Sequence, residues 1–287
     1  MTLFAIRVTG NFCWGFSIRI PGTSAGGDTY LVPPPSTLIG AFVKGISSVL
    51  NLPECCTMSS RRRISIGSIV AKFLKCFKLS AFKFNPSSEV RPIKYADMIR
   101  VLRGPYLRKT YAESITRRFG VSTIGRIYYP HGGFSIIYII DDDALKEVLR
   151  DFKVTEDPLK IIIRAAFSIV SIGSKESIVS ISDVKIGSVK CVSNSEVTTS
   201  YYFPSDAVER INPPDSWTIV EFYSIKDSIF KFHGVQKAVS TELIKYVVPV
   251  KSHGLLEPTE VACVLKSNAV CYECNFDGEI EYVIGVK

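Results

Sequence analysis

The sequence predicts an α+β fold in the order βαββαβ, interrupted by a long basic insertion and followed by a smaller β-rich lobe. Three observations carry the prediction. Strand-like residues 2–12 lead through a proline entry into an amphipathic helix. Extended segments flank residues 85–122, a basic stretch with neither helical nor alternating period. Helix-start signals at Asp141 and Pro158 then precede an alternating run at residues 176–186.

Each element has a local reason. Residues 2–12, TLFAIRVTGNF, are apolar and β-branched enough for a central strand, and residues 15–20 form a second short run. A glycine loop, PGTSAGGDT, follows. Pro33, Pro34 and Pro35 come where a helix start tolerates proline, and their fixed φ makes the entry rigid. From Pro34 or Ser36 onward, Leu38, Ile39, Phe42, Val43, Ile46, Val49 and Leu50 fall on one helix face, and the helix ends before Pro53. Gly40 is expected to let another element approach the first turn closely.

Strand character returns in residues 64–84, clearest at CFKLSAFKF, and again on both sides of His131-Gly132-Gly133. Asp141 to Asp143 cap a helix through Phe152, and Pro158 opens another, predicted to reach Ile172 and stop at Gly173. Strand, helix, strand, strand, helix, strand is the split βαβ order of ferredoxin-like and RNA-recognition sandwiches. It accounts for residues 1–187. Residues 188–287, with SYYF, WTIVEFY, YVVPV and EYVIGV, read as the β-rich second lobe.

At 287 residues, 46% of them apolar and 22% charged, the chain has the composition of a folded protein and not of a disordered one. No apolar run is long enough to span a bilayer, and MTLFAIRVTG lacks the order of a signal peptide, so a soluble, cytoplasmic protein is expected. Eight scattered cysteines do not make a disulfide framework; Cys271 and Cys274 have a metal-clip spacing, but only Cys263 lies near as a further ligand, so a strand bearing two small apolar side chains is preferred.

The net charge of +8 is unevenly placed. Residues 61–130 hold 16 Lys and Arg against three acids, a local charge of +13, which leaves the remainder at −5. Tyr95, Tyr106, Tyr111 and Phe119 are interleaved with these cations, the combination that holds single-stranded nucleic acid by phosphate pairing and base stacking. Residues 85–122 therefore read as an arm or hairpin that orders on a nucleic acid.

Other motifs carry less. Residues 22–29 approach the phosphate-loop pattern but place Asp28 where a lysine must meet the phosphates, which argues against nucleotide hydrolysis. His131, in a Gly-Gly turn near Tyr128 and Tyr129, is the one candidate for metal-independent RNA cleavage; the simpler reading is a turn residue with its ring in solvent. The turn SIGSKES at residues 171–177 has Gly173 as a helix stop, and its backbone N–H groups beside Lys175 also suit a phosphate.

Two stretches carry a family resemblance: VPPPSTLIGAF at residues 32–42 and SIGSKESIVSISDV at residues 171–184. Together with the βαββαβ order they resemble the fifth CRISPR-associated protein family, of the RAMP group of RNA-binding proteins, in the style of archaeal subtypes I-A or I-D. The resemblance covers about residues 1–187. It implies a non-catalytic subunit of a type I Cascade-like interference complex that caps the 5′ handle of the crRNA. It also implies contacts with the backbone and large subunits, target DNA within the assembled complex, and an extended thumb between the second and third strands. Residues 85–122 occupy the thumb position.

On this reading Arg103, Arg108, Lys109, Arg117, Arg118 and Arg126 pair with handle phosphates, Tyr106 and Tyr111 stack on bases, and Lys175 contacts backbone, with no metal or cofactor. One branch of the family cuts precursor RNA with a tyrosine, lysine and histidine constellation that has no residue-by-residue counterpart here. A metal-independent endoribonuclease is the alternative, and a basic RNA-binding protein without a handle preference is a third.

Overall fold

The computed structural model describes residues 2–20, 27–60, 63–87, 89–102, 119–192, 196–224 and 242–287. The first part of the chain forms β1 (Leu3–Phe12), β2 (Gly15–Phe16), α1 (Pro35–Leu50), β3 (Cys55–Ser60), β4 (Arg63–Ser68), a short α2 (Val70–Phe73) and β5 (Phe77–Phe84). The middle forms β6 (Ile93–Leu102), β7 (Phe119–Tyr128), β8 (Gly133–Asp141), α3 (Asp142–Asp151), α4 (Pro158–Phe167) and β9 (Val179–Val192). Ten further strands follow: β10 (Glu196–Thr199), β11 (Phe203–Pro204), β12 (Val208–Asn212), β13 (Thr218–Tyr223), β14 (Leu243–Val248), β15 (Val250–His253), β16 (Leu255–Pro258), β17 (Val261–Leu265), β18 (Ala269–Phe276) and β19 (Glu279–Val286). The result is a mixed α/β architecture, rich in sheet and poor in helix.

A six-stranded antiparallel sheet runs β19-β18-β9-β1-β8-β5. Its centre is β1, whose alternating side chains feed two different cores. Ile6 and Val8 point to the helical side, where Ile136, Tyr138 and Ile140 of β8 meet Leu38, Phe42 and Ile46 of α1 and Ile161 and Ala165 of α4. Pro35 is the first residue of α1, and Pro33, Pro34 and Pro35 are all buried, so the rigid entry is packed against the body.

Three local expectations need correction. The close-approach glycine of α1 is Gly45, where a Cβ would stand 2.2 Å from the Ala165 carbonyl oxygen of α4; at Gly40 nothing lies within 4 Å. Helix α4 stops at Phe167 instead of Ile172, because Ser168 takes its last backbone bonds and its own hydroxyl donates to the Arg164 carbonyl oxygen. Gly173 is therefore no helix cap: it adopts φ +103° in the following turn, where a Cβ would meet Ile18 at 2.5 Å.

The opposite face of the sheet is also covered. Ala5, Ala81, Ile137 and Ile139 pack with Tyr201 and with Cys274, Phe276 and Val283 of the β18–β19 hairpin. Glu281 of β19, 16% exposed, meets Arg7 of β1 at 3.2 Å and Lys83 of β5 at 2.5 Å, and the Tyr201 hydroxyl donates to it. Burial, then the Glu281 charge, pushes the Tyr201 phenol well above its ordinary value. Cys271 and Cys274 lie on β18 and are buried; the three-residue step puts them on opposite faces, and burial pushes both thiols up to about 12. Among the described residues no helix is long and apolar enough to cross a membrane.

Candidate nucleic-acid interface

The described ends of the basic insertion pair as two antiparallel strands. Strands β6 and β7 pair over ten residues, from Ile93 opposite Tyr128 to Leu102 opposite Phe119. They form the middle of a second sheet, β15-β16-β6-β7-β2, joined on one side by Leu255 opposite Ile93 and on the other by Gly15 opposite Tyr128. The hairpin leaves the main sheet after β5 and returns to it at β8. Its root is fixed: the Tyr129 N–H donates to the Trp14 carbonyl oxygen at 2.8 Å, and the buried Tyr129 ring donates its hydroxyl to the Asn85 carbonyl oxygen at 3.0 Å. His131 sits in the turn between β7 and β8 with φ +55° and is exposed.

Of the nine residues assigned from sequence to RNA contact, Arg126 and Lys175 are described. Arg103, Tyr106, Arg108, Lys109, Tyr111, Arg117 and Arg118 lie outside the described residues. Arg126 on β7 is paired with Asp97 of β6 at 3.5 Å and lies 5.2 Å from the centroid of the Trp14 ring. Its buried Nε has no hydrogen-bond partner among the described residues. The Trp14 indole N–H donates to the Glu176 carbonyl oxygen at 2.5 Å, next to the exposed Lys175. The turn is tied further by the Ser17 N–H to the Ser177 hydroxyl and by the Ser174 N–H to the Ser17 carbonyl oxygen. Trp14 thus brings together the hairpin root and the 171–177 turn through Arg126 and Glu176. Sequence reasoning missed it, and its one available signal was a tryptophan beside a glycine directly after the first strand.

Residues 27–29 meet the other face of the ribbon. The Gly125 N–H on β7 donates to the Gly27 carbonyl oxygen, and a Cβ at Gly125 would strike the Thr29 nitrogen at 2.5 Å. Asp28, the residue that spoils the phosphate-loop pattern, binds Lys94 of β6 at 2.6 Å.

Much of the described cationic charge is already matched. Lys75 pairs with Glu147, Lys78 with Asp141, Lys83 with Glu281, Arg91 with Glu257, Lys94 with Asp28 and Arg126 with Asp97. The first five of these pairs bind the basic segment to the acidic remainder of the chain, and the sixth lies within the segment. Lys175 makes no ion pair among the described residues. Among the described residues no group of three His, Cys, Asp or Glu is placed to hold a metal.

The crystal structure of a CRISPR protein from Archaeoglobus fulgidus shares the fold, with a TM-score of 0.57 and 18% identity over 99% of this chain and 100% of the other. In sequence, CRISPR-associated protein Cas5 2 of Saccharolobus solfataricus is 30% identical over 198 residues, 68% of this chain and 66% of the relative. The CRISPR system aCascade subunit Cas5 1 of the same organism is 24% identical over 242 residues, 84% of this chain and 86% of the relative. No protein-family model matches the chain. The chain belongs to the Cas5 family of CRISPR-associated proteins.

Proposed function

We propose that this protein is a non-catalytic, RNA-binding subunit of a Cascade-like interference complex, capping the 5′ handle of the crRNA and contacting the backbone and large subunits. The observation that carries the proposal is the β6–β7 hairpin, which projects between β5 and β8 and bears the most basic part of the sequence. The order β9-β1-β8-β5, with α1 and α4 on one face, supports a ferredoxin-like βαββαβ domain with the hairpin as its thumb. In open-faced sandwiches of this kind the free sheet surface can hold RNA. Here β18 and β19 cover that surface, which favours the hairpin and the 171–177 turn as the binding side.

On this reading Arg103, Arg108, Lys109, Arg117 and Arg118 contact phosphates and Tyr106 and Tyr111 stack on bases, with Arg126 and Lys175 at the root. The test combines binding and cutting: labelled repeat RNA and mature guide RNA are incubated with purified protein in EDTA. Binding without cleavage is expected, with log K falling against log salt at a slope of about −3 if roughly four phosphates are neutralised. Salt-insensitive affinity, or binding unchanged when Arg108, Lys109, Arg117 and Arg118 are all alanine, overturns the proposal. Cutting that is lost in His131→Ala assigns the endoribonuclease role instead.

A further inference from the structure

The root of the hairpin carries aromatic side chains that the body does not bury. Tyr95 on β6 is 39% exposed and Tyr128 on β7 is 44% exposed. The register sets Ile93 opposite Tyr128 and Tyr95 opposite Arg126, so these four side chains stand on one face of the ribbon. Leu255 of β16, opposite Ile93 and also exposed, extends that face. The two tyrosine rings meet edge to face, with centroids 6.3 Å apart and planes at 85°. Pairs of this geometry stabilise each other while leaving ring surface open. Beside them the Arg126 guanidinium is held between Asp97 and the Trp14 ring, in a fixed place within the same face.

The exposed aromatic pair offers a place for an occupant, and charge indicates which. The sequence joining β6 to β7 carries Arg103, Arg108, Lys109, Arg117 and Arg118 against Glu113 alone. These cations sit in sequence between β6 and β7, so they draw a polyanion toward the two strands that carry the tyrosines. A single strand has unpaired bases to offer them, whereas a duplex does not.

We propose that Tyr95 and Tyr128 form a stacking seat for an unpaired RNA base at the hairpin root. The seat rests on the RNA-binding reading above and adds a location and a mode to it. Stacking needs a π-face, not mere apolarity, so the informative variants are Tyr95→Leu/Tyr128→Leu and Tyr95→Phe/Tyr128→Phe. Both pairs of substitutions are at exposed positions, and circular dichroism verifies the fold of each variant.

The probe is a short oligoadenylate carrying a single 2-aminopurine, titrated against the full chain at several salt concentrations, with the matched duplex as control. Wild type and the Phe variant are expected to quench the 2-aminopurine and to bind within about threefold of each other. The Leu variant is expected to lose the quench and to weaken roughly 5- to 150-fold for each stacked base lost. Its salt slope should not change, because no charge is removed. If wild type binds with a steep salt slope and the Leu variant matches it, the seat is wrong while the RNA-binding function stands. If wild type fails to bind single-stranded RNA at all, both are wrong. A Leu variant that keeps its RNA affinity but no longer joins a reconstituted complex assigns this face to protein docking and also overturns the seat.

Discussion

Two glycines of α1, five residues apart, should respond in opposite directions to the same substitution. Alanine at Gly45 places a methyl group 2.2 Å from the Ala165 carbonyl oxygen and 3.0 Å from its carbon. Both are backbone atoms, so no rotamer relieves the contact, and α1 and α4 must part by roughly 1 Å. Overpacking of this kind costs about 1–3 kcal/mol. Replacing glycine within a helix returns about 1 kcal/mol through propensity. The net is a destabilisation of up to about 2 kcal/mol, or a fall in Tm of up to about 8 °C for a domain of this size. At Gly40 no atom lies within 4 Å of the added methyl, so only the propensity gain remains, and Gly40→Ala should raise Tm by about 1–3 °C. Thermal unfolding of the two variants followed by circular dichroism at 222 nm decides it. A Gly45→Ala protein as stable as Gly40→Ala would refute the claim that the two helices touch through this glycine.

Two further outcomes follow from ion pairs. Glu281→Gln leaves Arg7 with Glu279 alone and removes the carboxylate from Lys83, and should destabilise by about 1–3 kcal/mol, read as a lower urea midpoint at unchanged slope; an unchanged midpoint would show that the Glu281 charge contributes nothing to stability. Asp141 caps α3 through the Ala144 N–H and pairs with Lys78. Burial alone would raise its pKa, but these hydrogen bonds and the lysine charge outweigh it and hold the carboxyl below its ordinary value. A lowered folded-state pKa means stability that is present above the unfolded value of about 4 and lost as pH falls through the folded one. Asn retains the cap but not the ion pair, so Asp141→Asn should lose less stability than wild type between about pH 4 and pH 2 in urea titrations; parallel acid limbs would contradict this.

The elements that sequence made legible are those that bury at least one whole side. Helix α1 announces itself through Leu38, Ile39, Phe42, Val43 and Ile46, because one side is core and the other is not. Strand β8 reads as strand because nearly all of its side chains are buried. The β6–β7 ribbon gave no period: Ile93, Tyr95 and Met98 are exposed alongside charged neighbours, and its strands are held by backbone pairing over ten residues instead of by a buried side. Its charge was legible where its structure was not. The covering of the sheet by β18 and β19 was invisible for a different reason, since Arg7 and Glu281 are 274 residues apart and nothing local in either segment names the other. The same holds for Trp14, whose importance comes entirely from Arg126 and Glu176 arriving beside it.

The central position of β1 also sets a timetable. Its partners are Ile140 and Ser188 for Phe4, so the first strand to be made pairs only with strands made much later. At translation speeds of roughly 5–20 residues per second, it waits on the order of ten to thirty seconds for its first neighbour. Throughout that interval Phe4, Ile6 and Val8 are without the strands that flank them in the folded protein. Non-local pairing of this kind is slow to form. The yield of native protein should therefore be set by how well this one segment is shielded during synthesis, more than by the stability of the finished sheet.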